Sequence, residues 1–284
     1  MSGSCKSIIL NSSNWNSSYN AFVYSFPIST KIVKSSVGLA SISFYNSFFN
    51  VSSSYGNNTI SINYSGTNYN WTLPSGYYSM SDLNYFLQSQ MIANNLYMIN
   101  SSGQYVYFLE IVANSVLYSG QINCYPVPNS ATATTLSYTL PSGGSYGTNN
   151  CPSITISTAF GNLIGFASGT YGGGVSTLTT ATQYLSSKCP IISLVNSLIL
   201  TTNLINNIGF SNPTNVLCSV PLLNGFGSLC TQSGQEVIYQ RCSDNHFSSI
   251  SVQVLDQNLN VLTPFDNEFT IILALRTDTD PNTI

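Results

Sequence analysis

Apolar side chains along this sequence recur mostly at every second position. Ala21-Phe22-Val23-Tyr24-Ser25-Phe26, Val37–Tyr45 and Thr59-Ile60-Ser61-Ile62-Asn63-Tyr64 carry the pattern most clearly. A strand turns successive side chains to opposite faces, so this alternation predicts half-buried β-strands. Further strands are predicted at Asn70–Leu73, Ile154–Ser157, Ile191–Thr201, Val216–Pro221, Glu236–Gln240, Ser249–Leu255 and Phe269–Leu275. Gln104–Ala113 and Val116–Val127 read as a hairpin around Asn114-Ser115. Gly56-Asn57, Ser65-Gly66 and Asp256-Gln257-Asn258 supply turn chemistry. One stretch changes period. Leu83, Phe86, Leu87 and Met91 fall on one helical face, and Ser79 or Ser81 caps its start. Many short strands with one clear helix predict an all-β sandwich or jelly roll.

The boundaries follow from composition. Residues 1–20 are rich in Ser and Asn and read as an extended arm. Residues 21–276 read as one β-domain, with 128–190 as a Ser/Gly-rich loop or small insertion, and 277–284 as a polar tail. Residues 1–20 lack the apolar run of a signal peptide. Apolar runs such as Ile191–Leu200 are too short and too interrupted for a transmembrane helix.

Charge is the unusual property. Charged residues make up 5% of the chain, against roughly 25% in an ordinary soluble domain. Between Lys34 and Lys188 only Asp82 and Glu110 carry charge. A biased base composition would enrich Asn, Ile and Tyr, but it would enrich Lys equally. Selection for packed, mutually unrepelled neutral surfaces fits better. The net charge of −3 and the absence of a basic cluster argue against direct nucleic-acid binding.

Candidate chemistry is thin. His246 is the single histidine. Cys242, Asp244 and His246 alternate, and in a strand they would share a face as a metal corner or a thiolate–imidazole pair. A polar turn before the strand at Ser249 explains them equally. Asp256, Asp266 and Glu268 form a carboxylate group of the sort that holds calcium or moves protons, yet turn chemistry accounts for Asp256 and Asp266. Seven scattered cysteines without a CxxC pair read as free thiols made in a reducing compartment. A Cys218–Cys230 bridge is not indicated. Seven Asn-x-Ser/Thr sequons, from Asn11 to Asn100, are about what this Asn-rich composition gives by chance, and no glycan is assigned. No catalytic, cofactor-binding or metal residue is assigned. The 19 tyrosines suit a subunit interface, a carbohydrate-binding face or strand cores.

Val37-Gly38-Leu39-Ala40-Ser41-Ile42-Ser43-Phe44-Tyr45-Asn46-Ser47-Phe48-Phe49-Asn50 resembles the early strands of penton-type minor capsid proteins of virophages and polinton-like viruses. Trp71–Leu87 resembles their strand, Pro-x-Gly-Tyr-Tyr-Ser and short-helix element. Phe160–Phe166 resembles a shared Leu-x-Gly-Phe element, and Val252–Asn258 with Asp266–Leu275 resembles their last hairpin. The ordered series covers most of residues 20–276. The resemblance implies a single jelly-roll β-sandwich with one short helix and extended loops. It also implies a non-enzymatic homopentamer at icosahedral vertices, surrounded by major capsid protein trimers. Such a subunit would need no cofactor, and would be made in the host cytoplasm and reside in the virion. The alternatives are another minor capsid or cement protein, and a secreted β-sandwich adhesin or glycan-binding module.

An assembly held by uncharged surfaces should tolerate acid. Light scattering of the purified assembly should stay constant from pH 8 to about pH 5, above the carboxylate range near 4; dissociation on mild acidification would contradict the neutral-surface account.

Overall fold

A computed structural model describes residues 5–174, 182–207, 213–234, 236–262, 266 and 268–277. The chain divides into two compact units. One joins Met1–Phe48 to Val195–Ile284, and the other is Phe49–Leu194. The first unit opens with β1 (Cys5–Asn11), β2 (Trp15–Asn16), β3 (Ala21–Ile32) and β4 (Ser35–Tyr45). The chain then makes the whole second unit. This holds β5 (Thr59–Tyr64), β6 (Thr67–Thr72), α1 (Met80–Ala93), β7 (Met98–Ile99), β8 (Tyr105–Val106), β9 (Leu109–Asn114) and β10 (Ser119–Cys124). It continues through α2 (Ser130–Thr135), β11 (Ser153–Ile156), α3 (Thr158–Ile164), β12 (Gly169–Gly172) and β13 (Thr182–Leu185). The first unit resumes with β14 (Ser197–Thr202), β15 (Val216–Pro221), β16 (Leu229–Ser233), β17 (Gln240–Arg241), β18 (Asn245–Leu255) and β19 (Thr270–Thr277).

The strand order of the first unit is that of a jelly roll. One sheet runs β1-β19-β4-β16, with β17 also on β4; the other runs β15-β14-β18-β3-β2. Setting aside the two-residue strands, eight strands remain, in chain order β1, β3, β4, β14, β15, β16, β18 and β19. The sheets take them as 1-8-3-6 and 2-7-4-5, and every pairing is antiparallel. That interleaving closes two Greek keys into one sandwich.

Period-2 patterning fills the space between the sheets. On β18, Ile250, Val252 and Val254 are buried, while Ser251 and Gln253 are only partly covered. Phe44 of β4 stacks on Phe269 with ring centroids 5.0 Å apart and planes 8° from parallel. Phe269 meets Phe22 of β3 at 5.3 Å, and Phe22 meets Trp15 of β2 edge-on at 5.0 Å. This aromatic file links residues of both sheets. Pro27 lies inside β3 and has no N–H to give the ladder. There the β3–β18 register jumps between Phe247 and Ser249, and Ile28 is left 80% exposed.

The second unit has its own core, with Ile60, Trp71, Leu83, Leu87, Ile111, Ile122 and Phe160 among its buried residues. Its sheets run β12-β11-β5-β6 and β13-β10-β9, beside the two-stranded ribbon β7-β8. Ser79 caps α1 in a reciprocal box. Its hydroxyl accepts from the Asp82 N–H, while the Asp82 carboxylate accepts from the Ser79 N–H at 2.9 Å. Asn84 Oδ1 accepts from Ile111 N–H at 3.0 Å, tying α1 to β9. Asn50 is 1% exposed. Its amide donates to the carbonyls of Tyr78 and Ile192 at 2.8 and 2.9 Å, and its Oδ1 accepts from Tyr78 N–H. Asn50 thus joins the start of this unit to its end.

Several boundaries differ from those the sequence predicts. Cys5–Asn11, expected in an arm, pairs residue for residue with Arg276–Thr270. Its apolar content is only Ile8-Ile9-Leu10, too short a run to stand out in a polar segment. The expected single domain over 21–276 is interrupted by the unit Phe49–Leu194, which begins far earlier than the expected insertion at 128–190. The described residues hold three α-helices, not one: α2 and α3 span six and seven residues and begin at Asn129 and Ser157 caps. Strand β16 lies outside every predicted strand, and the prediction at Glu236–Gln240 shrinks to the short β17. Of the expected tail 277–284, Thr277 ends β19; residues 278–284, like 1–4 of the expected arm, lie outside the described residues.

The Ser79 bonds hold the Asp82 carboxyl below the usual carboxylate range. The sign follows: the cap contributes at neutral pH and is lost as pH falls below about 4 through the lowered native value. Asp82→Ala should cost about 1 kcal/mol at pH 7, read by urea titration, and the penalty should fade near pH 2. Phe44→Ala should cost about 3–5 kcal/mol.

Candidate functional site

The residues that carry reactive groups are committed to structure. Cys242 is buried, and its N–H donates to the Ser35 carbonyl at 2.8 Å. Asp244 Oδ1 accepts from Lys34 N–H at 2.8 Å, and its other oxygen lies 3.9 Å from Arg241 Nη2. His246 is exposed on β18. Asp256 Oδ1 accepts from the N–H groups of Asn258 and Asn260 at 2.7 and 2.8 Å, and Oδ2 accepts from the Asn260 side chain at 3.0 Å. That carboxylate builds the turn after β18. Asp266 Oδ1 accepts from Glu268 N–H at 2.8 Å. Among the described residues, no three His, Cys, Asp or Glu side chains gather as a metal site.

Cys5, Cys124, Cys189, Cys218 and Cys230 are free thiols, so the Cys218–Cys230 bridge is not formed. Burial pushes the thiols of Cys124 and Cys218 up to about 12, and Cys151 adds to the effect at Cys124. Burial raises Cys230 as well. Thiols held neutral are poor nucleophiles. The buried amides of Asn50 and Asn57 are used internally, although both head sequons: Asn57 Nδ2 donates to the Asn50 carbonyl at 2.8 Å.

The informative surface is where the jelly roll stays open. Between β1 and β3 runs a groove of about 490 Å³, lined by Ile8, Ile9, Tyr24, Phe26 and Leu275, with Lys6 and Lys31 also in its wall. Ile9 is 56% exposed there. The Pro27 irregularity in β3 helps shape it, because Phe26 and Thr30 on either side both line the groove. The opposite opening, of about 330 Å³, involves the edge strands β15 and β16 and reaches core residues Phe44 and Cys230. Leu223, 84% exposed, lines it, and Phe226 and Leu229 stand exposed nearby in sequence. Strand β16, Leu-Cys-Thr-Gln-Ser, has neither the charge nor the proline that commonly protects a sheet edge. Sequence reasoning missed both openings. The Ile8-Ile9-Leu10 run was the one available signal, and it shows neither edge position nor neighbours.

No family model and no curated protein matches this chain. Among solved structures, the chain is similar to the mavirus penton protein, with 8% identity and a TM-score of 0.42 over 97% of this chain and 98% of that one. It is also similar to a chain in a cryo-EM structure of the Sputnik virophage, with 11% identity and a TM-score of 0.41 over 98% of each. The jelly-roll assignment rests on the strand pairing given above, not on these likenesses.

Brief alkylation of the native protein, read by mass spectrometry, should label exposed Cys5 and Cys189 and spare Cys124, Cys151, Cys218, Cys230 and Cys242. All seven should react after unfolding. Because burial raises the thiol values, their contribution to stability is complete below the ordinary thiol range near 8.5. It should be lost as pH climbs toward 12.

Proposed function

We propose that this protein is a structural subunit of a viral capsid, the vertex or penton subunit, which assembles as a homopentamer among major capsid protein trimers. The observation that carries the reading is a jelly-roll sandwich whose open edges expose apolar side chains and whose sequence is almost without charge. Apolar side chains at sheet edges gain free energy when another surface covers them. A surface with few charges pays little desolvation cost on burial and sets up little repulsion between identical copies. The ordered sequence resemblance to penton-type minor capsid proteins supports the vertex position. The role is mechanical: Asp82 serves a cap, Asp256 serves a turn, and burial raises the thiols of Cys124, Cys218 and Cys230. On this reading the capsid's genome is not held by a basic arm of this subunit, whose net charge is −3.

The secreted-adhesin alternative calls for paired cysteines, and Cys218 and Cys230, the one pair the sequence offered, are free. Native mass spectrometry of the purified protein decides between the shell readings. Five subunits are expected; three would favour a trimeric cement protein, and a monomer at every concentration would overturn both. Ile9→Asp and Leu229→Lys place charges on exposed edge positions, so folding should survive while self-association weakens by at least about tenfold.

A further inference from the structure

The second unit carries a cleft that a shell role leaves unused. It has a volume of about 450 Å³ and is lined by Tyr105, Tyr107, Phe108, Tyr125, Tyr138 and Glu110, with two prolines beside them. Tyr105 is half exposed, and Tyr107, Tyr125 and Tyr138 are partly exposed. Tyr97 braces the wall from behind, with ring centroids 4.5 Å from Tyr105 and 6.4 Å from Tyr107. Glu110 is one of only two carboxylates between Lys34 and Lys188, and the other, Asp82, is consumed by the α1 cap.

Glu110 ends a chain of amides on one face of β9 and β10, where Asn123 is buried. Asn114 Nδ2 donates to Gln121 Oε1 at 2.8 Å, Gln121 Nε2 to Asn123 Oδ1 at 2.7 Å, and Asn123 Nδ2 to Glu110 Oε2 at 3.4 Å. The register puts Asn123 opposite Glu110, and Tyr125, two residues further on, lines the cleft. Burial, and secondarily the Glu110 charge, raise the Tyr125 phenol above its ordinary value. Tyr125 and Glu110 both line the cleft.

We propose that this cleft is a binding site for a neutral saccharide. Tyrosine rings offer apolar faces on which the C–H face of a pyranose packs. Phenols both donate and accept hydrogen bonds, and the Glu110 carboxylate accepts them, so vicinal hydroxyls find partners of both kinds. A small number of placed polar groups in an aromatic wall is the usual make-up of a small-ligand site. Charge narrows the class. Among the described residues Glu110 is the only charged one lining the cleft, so sialylated, sulfated or phosphorylated sugars are repelled. An apolar ligand would strip water from Glu110 and return no hydrogen bond. An organic cation would use the rings and the carboxylate but would leave the phenol hydroxyls without a role.

The test uses the full-length protein and saturation-transfer NMR. The probes are the methyl glycosides of glucose, galactose, mannose and N-acetylglucosamine, with sialyllactose and tetramethylammonium beside them. At about 10 mM, a site with a Kd of about 1 mM is mostly filled. At least one neutral glycoside should receive saturation, with no transfer to sialyllactose. Tyr105→Ala and Glu110→Gln should each weaken that binding about tenfold. Both side chains are at least partly exposed, and unchanged melting would show that the variants fold. Three results would overturn the proposal: no transfer to any glycoside, equal binding in both variants, or Glu110-dependent binding of tetramethylammonium alone, which would make the cleft an organic-cation site.

Discussion

The first unit depends on one strand finding its place between two others. Strand β19 lies between β1 and β4, so three segments far apart in sequence share one ladder. Ile271 and Leu273 of β19 are fully buried, and Leu10 of β1 and Phe44 of β4 are buried with them. Without β19, the 1-8-3-6 sheet separates into β1 alone and the β4 pairings. Closing such long loops costs conformational entropy before any contact repays it. Repayment comes from the aromatic file Phe44–Phe269–Phe22–Trp15, which forms only when strands of both sheets are present.

The same topology explains how the chain accommodates a second unit. Strands β4 and β14 are consecutive in the jelly roll yet lie in different sheets. The connection between them therefore leaves one sheet and enters the other, and can carry Phe49–Leu194 without altering a register. The inserted unit keeps its own core and is tied end to end by Asn50. Long insertions between strands are tolerated because closure entropy grows slowly with loop length.

Scarcity of charge links the two units. In the jelly roll it leaves the β15–β16 opening without a charged side chain among its described lining residues, while the β1–β3 groove sets Lys6 and Lys31 beside apolar side chains. In the inserted unit it makes Glu110 conspicuous, because a lone carboxylate among tyrosines is a strong local feature where little else is charged. Three of the other charges are spent locally: Asp82 on a helix cap, Asp256 on a turn and Asp244 on the backbone of Lys34.

Local physics was legible in the residues. Alternation located β5 to the residue and the last seven residues of β18, and the spacing of Leu83, Leu87 and Met91 after Ser79 located α1 with its cap. These features arise from contacts between near neighbours, which a period or a capping residue records directly. Partnership was not legible. The Ile8-Ile9-Leu10 run does not say that β1 pairs with β19, nor does Asn50, which reads as a sequon, disclose a buried clasp to Ile192. The Tyr and Glu110 cleft was invisible for the same reason: Tyr105, Tyr125 and Tyr138 are separated by ordinary stretches of chain and meet only when folded. By itself, then, the sequence determined strand character, the principal helix and a nearly uncharged surface, because these depend on side-chain type and short spacing. The tertiary structure alone decided the jelly-roll order, the division into two units and the groups that converge, because each depends on which distant segments bury one another.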